Sequence, residues 1–395
     1  MNLMVSRQSL RYNSKALYIL SLGLYLFCLP LDTINFGFGS ILKLIAIIPI
    51  GIALISNIKY LKFIKLLKYQ VLFTLFAGMS ILWSVNPKMS LDREITYVLL
   101  TILLYSGSVF TYTKEDIERI KRFMLWSSRS TAVIVLLSSE FKVDRFVVGG
   151  KFSFDPNYLC GYLFAGLIIC LSYLFDGKRK KAYPTIELLL YISIIILTGS
   201  RGGLIAGGTA ILVFLFIYNK NSKNKLSKNI NIILVILFIL LLSVVLFNFL
   251  PKTLIARFNI INAIVSGGTG RRSIWEQGIK LFSESSLSRK MFGQGTGAIT
   301  AILIVYEYNS YRNFVMHNIF LETLVELGII GLVLYISNIY SFVKKSYRFE
   351  DKFSFCVLAG MIVLSLTTSL HTFKPYFNIM LFIIISSNVS CREEK

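Results

Sequence analysis

The chain has 395 residues, of which 55% are hydrophobic, with a mean hydropathy of +0.67 and a formal net charge of +22. That apolarity excludes a soluble enzyme of this size. The basic excess raises nucleic acid as a partner, since phosphate backbones attract Lys and Arg, but the placing of the charges along the chain removes that reading.

Taken in chain order, apolar runs recur at 16–34, 38–57, 69–84, 95–112, 123–139, 157–175, 184–198, 203–218, 230–250, 316–339, 353–371 and 375–391. A bilayer core about 30 Å thick needs roughly 20 helical residues to cross, and the runs are continuous instead of alternating as barrel strands do. The first run follows RQSLRYNSK. It is too long for a signal peptide, lacks a clear small-residue cleavage site and is expected to remain as an anchor. Cys28, Cys160, Cys170, Cys356 and Cys391 lie mostly inside apolar runs without CxxC spacing, so neither a disulfide framework nor a zinc site is indicated. The expectation is an all-α polytopic membrane protein, a single transmembrane domain over 1–395 with about twelve transmembrane helices.

Charge then sets the orientation. With the N-terminus inside, every connection on the inner side is basic: Arg7, Arg11 and Lys15; Lys59, Lys62, Lys65 and Lys68; TKEDIERIKR; DGKRKKAYP; NKNSKNKLSKN; and Lys344, Lys345, Arg348 and Lys352. This satisfies the positive-inside rule and suits anionic cytoplasmic lipid, so both termini are expected in the cytoplasm and no nucleic acid is required. Asp32, Asp155, Arg201, Arg271, Arg272, His317 and His371 then fall on the extracytoplasmic face. Segment 251–315 becomes a long extracytoplasmic loop. Within it, RRSIWEQGIKLF sets Ile274, Trp275, Ile279 and Phe282 on one side of an amphipathic helix that lies in the interface or roofs a cavity. The following FGQGTGA, 292–298, reads as a glycine-rich hinge.

Three motifs on that face carry chemistry. In LTGSRGG, 197–203, Arg201 gains nothing from topology, and the flanking glycines let backbone and ligand approach closely; the structural alternative is an arginine snorkelling from a helix end. In GTGRRSIW, 268–275, Arg271 and Arg272 combine bidentate donors with the positive end of a helix dipole, which fits a phosphate or pyrophosphate; the alternative is a basic loop against lipid headgroups. In MHNIFLETLVELGIIG, His317 can accept a proton near neutral pH, or His317 and Asn318 merely cap the helix. Glu322 and Glu326 share a face of that helix and need partners if buried. Asp155 and Asn157 precede the sixth span, where Asn is an ordinary cap. Asp32 could serve as a base. His371 reads as structural, and Arg129 in the fifth span as snorkelling or paired.

No DxD, HExxH, P-loop or GxGxxG occurs, so metal-dependent nucleotide-sugar transfer lacks its usual parts; no metal and no cofactor are expected. TGSRGG, then Gly270 and Arg271 with Trp275 four residues on, then FGQGTG, then HNIFLETLVELGIIG, in that order across a motif region of 190–335, resemble the O-antigen ligase and O-antigen polymerase family of bacterial membrane proteins. The resemblance implies a helical glycosyltransferase of the inner membrane that moves a glycan from undecaprenyl diphosphate to an acceptor hydroxyl without a metal. In it Arg201 and Arg271 hold the diphosphate, with Arg272 sharing the role, and His317 acts as base or positions the acceptor; Asn318, Glu326, Asp155, Asn157 and Asp32 are supporting candidates. The partners implied are the lipid-linked oligosaccharide, a glycan acceptor and the bilayer, with a chain-length regulator or flippase beside them. A polymerase of repeat units for capsule, exopolysaccharide or O-antigen is the leading expectation. A ligase onto lipid A core is the alternative within the family, and a flippase or other transporter the alternative outside it.

Overall fold

The computed structural model describes residues 2–34, 40–57, 64–142, 145–149, 154–175, 181–220, 248, 250–259, 271–305, 315–349 and 351–389. Its long helices are α1 (Asn2–Phe27), α2 (Ile41–Asn57), α3 (Lys68–Met79), α4 (Pro87–Ser106), α5 (Lys114–Ser138), α6 (Pro156–Phe175), α7 (Ala182–Leu197) and α8 (Arg201–Lys220). After the short α9 (Lys252–Arg257) come α10 (Arg271–Glu284), α11 (Leu287–Phe292), α12 (Ile299–Val305), α13 (Ile319–Tyr347), α14 (Phe353–Ser365) and α15 (Lys374–Ser387). Most of the expected ninth span, 230–250, lies outside the described residues, as does Gly270. Each of the other expected runs overlaps a helix, with bounds that differ by up to a few turns. Among the described residues four helical stretches are long and apolar enough to cross a membrane, Lys65–Trp83, Pro156–Phe175, Arg201–Tyr218 and Ile319–Tyr347; four more are apolar but shorter.

The helices begin where local chemistry starts them and not where hydropathy rises. Asn86 caps α4, accepting from the Met89 N–H, with Pro87 in the first turn. A run expected from 95 is therefore helical from 87, and Arg93 stands on its second turn. Thr113 and Asp116 form a capping box on α5, and Lys15 ties that carboxylate to α1 at 2.8 Å. The all-α expectation needs one correction: Ser139–Lys142 and Arg145–Val148 pair as an antiparallel hairpin, β1 and β2, in which Phe141 packs edge-on against Phe146.

The N-terminal ends of α4, α6, α8, α13 and α15 gather at one end of the bundle, where Arg93 meets Glu322, Tyr158 meets the Ser369 carbonyl, Ser200 meets Asn157 and Lys374 meets Asp32. The opposite end holds Lys15 with Asp116, Lys121 with Asp351 and the Tyr112–Asn388 backbone bond. Small residues let the helices close up between these ends, with Gly360 of α14 against Ala206 and Ala210 of α8.

Helix α13 breaks at Gly328, which adopts φ 66°. The break frees the carbonyls of Val325 and Glu326, and the glycine-rich loop after α11 supplies their donors: Gln294 N–H at 3.1 Å and Gly295 N–H at 2.8 Å. Inside a bilayer such a break survives only where protein satisfies the freed groups. Gly293, at φ 78°, lies so close that a Cβ there would come within 2.2 Å of the Glu326 carbonyl oxygen. On its other side the loop binds the α3–α4 junction, through Val85 N–H to Gln294 O and Thr296 N–H to Ser80 Oγ. The expected hinge is a wedge fixed on both faces.

Candidate functional site

The segment before α13 is held at both polar groups of Met316. Its N–H donates to Glu322 Oε2 at 3.2 Å, and its carbonyl accepts from Trp275 Nε1 at 2.8 Å. The Met316 side chain is fully buried with Ile274, Ile299 and Val325. Asn318 caps α13, accepting from the Phe320 and Leu321 N–H groups at 3.1 Å each. Between these two anchored residues His317 takes φ 51°, a left-handed backbone adopted by no other described residue that is not glycine. The capping role therefore belongs to Asn318 alone, and His317 sits between two anchored residues in a backbone conformation uncommon for a residue with a side chain.

The imidazole is partly buried, and its Nδ1 has no hydrogen-bond partner among the described residues. Burial lowers its pKa below the ordinary value, and the neighbouring Arg271 guanidinium adds to that; Asp155 and Glu322 pull the other way. The charges of Arg271, Asp155 and Glu322, from three separated stretches of chain, therefore act on the imidazole. Trp275 lies four residues after Arg271 on α10, and its bond to the Met316 carbonyl ties that helix to the residue before His317.

Arg272 is placed elsewhere. It is exposed and pairs with Glu276 one turn along at 2.8 Å, and of the two adjacent arginines Arg271 is the one whose charge acts on His317. Ile279, expected on the apolar face of α10, is likewise exposed; the buried stripe runs through Ile274 and Gly278. Arg201 is half-buried at the start of α8, and it is its neighbour Ser200 that reaches Asp155, by way of Asn157. Ser200 Oγ donates to Asn157 Oδ1 at 2.6 Å, and Asn157 donates from its backbone and amide to Asp155 Oδ1 at 2.8 and 3.0 Å. Asp155 is therefore the cap of α6, and Asn157 is the bridge. The glycines around Arg201 serve helix packing, since a Cβ on Gly202 would strike Thr367 and one on Gly203 would strike Cys160. Asp32 binds Lys374 at 2.9 Å and Ser40 at 2.8 Å, so its carboxylate joins the end of α1 to α15.

Glu326 is fully buried, and the partner that both carboxylates need is Arg93. One guanidinium nitrogen, Nη1, lies 2.9 Å from Glu322 Oε1 and 3.1 Å from Glu326 Oε2. Glu326 Oε1 accepts the Ile299 N–H at 3.4 Å, and Glu322 Oε2 accepts the Ser369 hydroxyl as well as Met316 N–H. His371 Nε2 stands 3.6 Å from Glu322 Oε1. By donor type Glu322, Glu326 and His371 could hold a cation, but Arg93 already touches both carboxylates and supplies the positive charge from the chain itself. Arg93, Ser369 and Tyr158 were not singled out from the sequence. A signal existed for Arg93, because an outer arginine that topology does not call for needs a reason, as Arg201 did.

Residues 186–336 match the sequence model of the O-antigen ligase family. The match covers less than half of the chain and likens this stretch to that family. It contains Arg201, Arg271, His317, Glu322 and Glu326, while Arg93, Asp155, Asn157, Ser369 and His371 come from outside it. A relative among characterised proteins is the exopolysaccharide production protein ExoQ of Rhizobium meliloti strain 1021, 24% identical over 289 residues, covering 66% of this chain. The chain spans 61% of that relative's length.

Proposed function

We propose that the protein is a membrane glycosyltransferase that polymerises lipid-linked oligosaccharide repeat units at the outer face of a bacterial inner membrane. The observation that carries this reading is a desolvated His317, its backbone fixed on both sides, under the charge of Arg271. A sugar joined to undecaprenyl diphosphate is already activated. Transfer then needs a base for the attacking hydroxyl and positive charge for the departing diphosphate.

In the proposed step the acceptor hydroxyl oxygen bonds to the anomeric carbon while that carbon's bond to the diphosphate oxygen breaks. The hydroxyl proton passes to the His317 imidazole, and the electron pair leaves with the diphosphate, which Arg271 and Arg201 neutralise. Burial supports the base role, because a lowered pKa keeps the imidazole neutral at physiological pH. Attack opposite the leaving group inverts the anomeric centre. The outer orientation rests on the basic connections, whose Lys15 and Lys121 lie at the end of the bundle away from His317.

The relative's role in exopolysaccharide production favours polymerisation; the family's own description favours ligation to a different acceptor. A transporter would place its charged groups near the middle of the membrane, whereas these cluster at one end. The test is reconstitution of wild type, Arg201→Ala, Arg271→Ala and His317→Ala with lipid-linked repeat units, scoring chain growth on a gel. Wild type should extend chains and the variants should not. Growth by His317→Ala at the wild-type rate refutes the assignment, and adding a second acceptor separates polymerase from ligase by the product formed.

A further inference from the structure

We infer that Arg93, acting through Glu322, is the positioning residue for His317: the Arg93–Glu322–Glu326 cluster locks the histidine segment, the glycine loop and α4 into one wall of the site. This deepens the proposed transferase reading and rests on His317 being its base.

Each contact joins a different stretch of chain. Arg93 Nη1 bridges Glu322 and Glu326 from α4, at 2.9 and 3.1 Å. Glu322 reaches back over the first turn of α13 to the Met316 N–H, which fixes the residue preceding His317. Glu326 holds the start of α12 through Ile299 N–H and, by its own carbonyl, the loop at Gly295. Both carboxylates are fully buried, so each needs its donors. Without Arg93 two anions would share a buried site with no cation between them, and the carboxylate that tethers Met316 would have to move or take up a proton. Either change releases the backbone on which the left-handed His317 depends.

The donor inventory makes the claim specific. Glu322 accepts from Arg93, Met316 N–H and the Ser369 hydroxyl, and every one of these is a donor. Glutamine has the same shape but must turn an NH2 toward one of them, so Glu322→Gln breaks a contact without opening a cavity. Conversely, because a single nitrogen of Arg93 touches both carboxylates, a lysine ammonium at 93 can occupy much the same place.

The experiment compares wild type, Arg93→Ala, Arg93→Lys, Glu322→Gln and His317→Ala in proteoliposomes, measuring kcat, KM for the lipid-linked donor and the pH dependence of kcat. Displacing a catalytic group by about 1 Å costs on the order of 100-fold. Arg93→Ala and Glu322→Gln should each lose about that in kcat with KM changed less than about threefold, and Arg93→Lys should recover at least about tenfold of the loss. Among the described residues, the charges that act on His317 are Arg271 from α10, Asp155 ahead of α6 and Glu322 from α13. Removing the Glu322 charge withdraws support from the imidazolium, so in Glu322→Gln the acid limb should move to lower pH; a merely structural role would leave it in place. Near-wild-type kcat in Arg93→Ala and Glu322→Gln, a loss confined to KM, no rescue by lysine, or an unmoved acid limb each overturns the inference. If His317→Ala is itself fully active, the transferase reading fails instead.

Discussion

Among the described residues two helical arginines pair with glutamates of another helix, yet their surroundings differ in kind. Arg129 of α5 binds Glu187 of α7 at 2.6 Å on the flank of the bundle, with both side chains partly exposed and the guanidinium over the Trp126 ring. Arg93 bridges Glu322 and Glu326 where five helix starts converge, and its carboxylates go on to hold backbone beside His317. The first pair fastens one helix to another. The second fastens a candidate reacting group in place, and only the onward contacts tell them apart.

The comparison breaks most visibly under apolar replacement. Buried ion pairs exchanged for well-packed hydrophobic residues are often neutral or stabilising, so stability alone does not separate the two clusters and activity must. Replacing Arg93, Glu322 and Glu326 together by leucine should reduce chain growth at least about 100-fold even where the purified protein remains monodisperse. Retained growth in that variant would make the Arg93 cluster the equal of the flank pair.

The next largest contrast is between neighbours. Arg271→Ala should lose about 100-fold in kcat/KM, the scale of removing one donor to a developing charge, while Arg272→Ala stays within about twofold because its side chain is exposed and engaged with Glu276. Equal losses in the two would contradict the role proposed for Arg271.

These contrasts also show how far the sequence could be read. Helix positions were legible because apolar runs mark them, and Arg271, His317 and Glu326 stood out through motif spacing. Arg93 was hidden by a hydropathy window that opened the span near 95, although Asn86 followed by Pro87 was a visible helix start. Arg271 and Arg272 could not be ranked, since one residue of rotation separates them and only the Trp275–Met316 bond fixes the face. The tie between FGQGTG and the α13 break joins segments whose pairing no local pattern encodes. The hairpin at 139–148 was missed because a four-residue strand is too short for alternation to show.

A smaller effect sharpens the role of desolvation. Because burial and Arg271 lower the His317 pKa, protonation that removes the base requires more acid than for a free imidazole, and the acid limb of kcat should lie below about 6.5. A limb above that value would mean that Asp155 and Glu322 outweigh burial. The smallest effect belongs to the flank: Arg129→Leu with Glu187→Leu should leave chain growth within about twofold of wild type, and a large loss there would dissolve the distinction drawn between the two pairs.

The central claim, that Arg271 and His317 divide diphosphate recognition from proton removal, is tested most directly by a single-turnover assay on His317→Ala with donor binding measured on the same proteoliposomes. The account predicts that the lipid diphosphate donor still binds within about threefold of wild type while transfer slows at least about 100-fold. Transfer at the wild-type rate, or loss of donor binding with an unchanged rate for the donor that is bound, would contradict it.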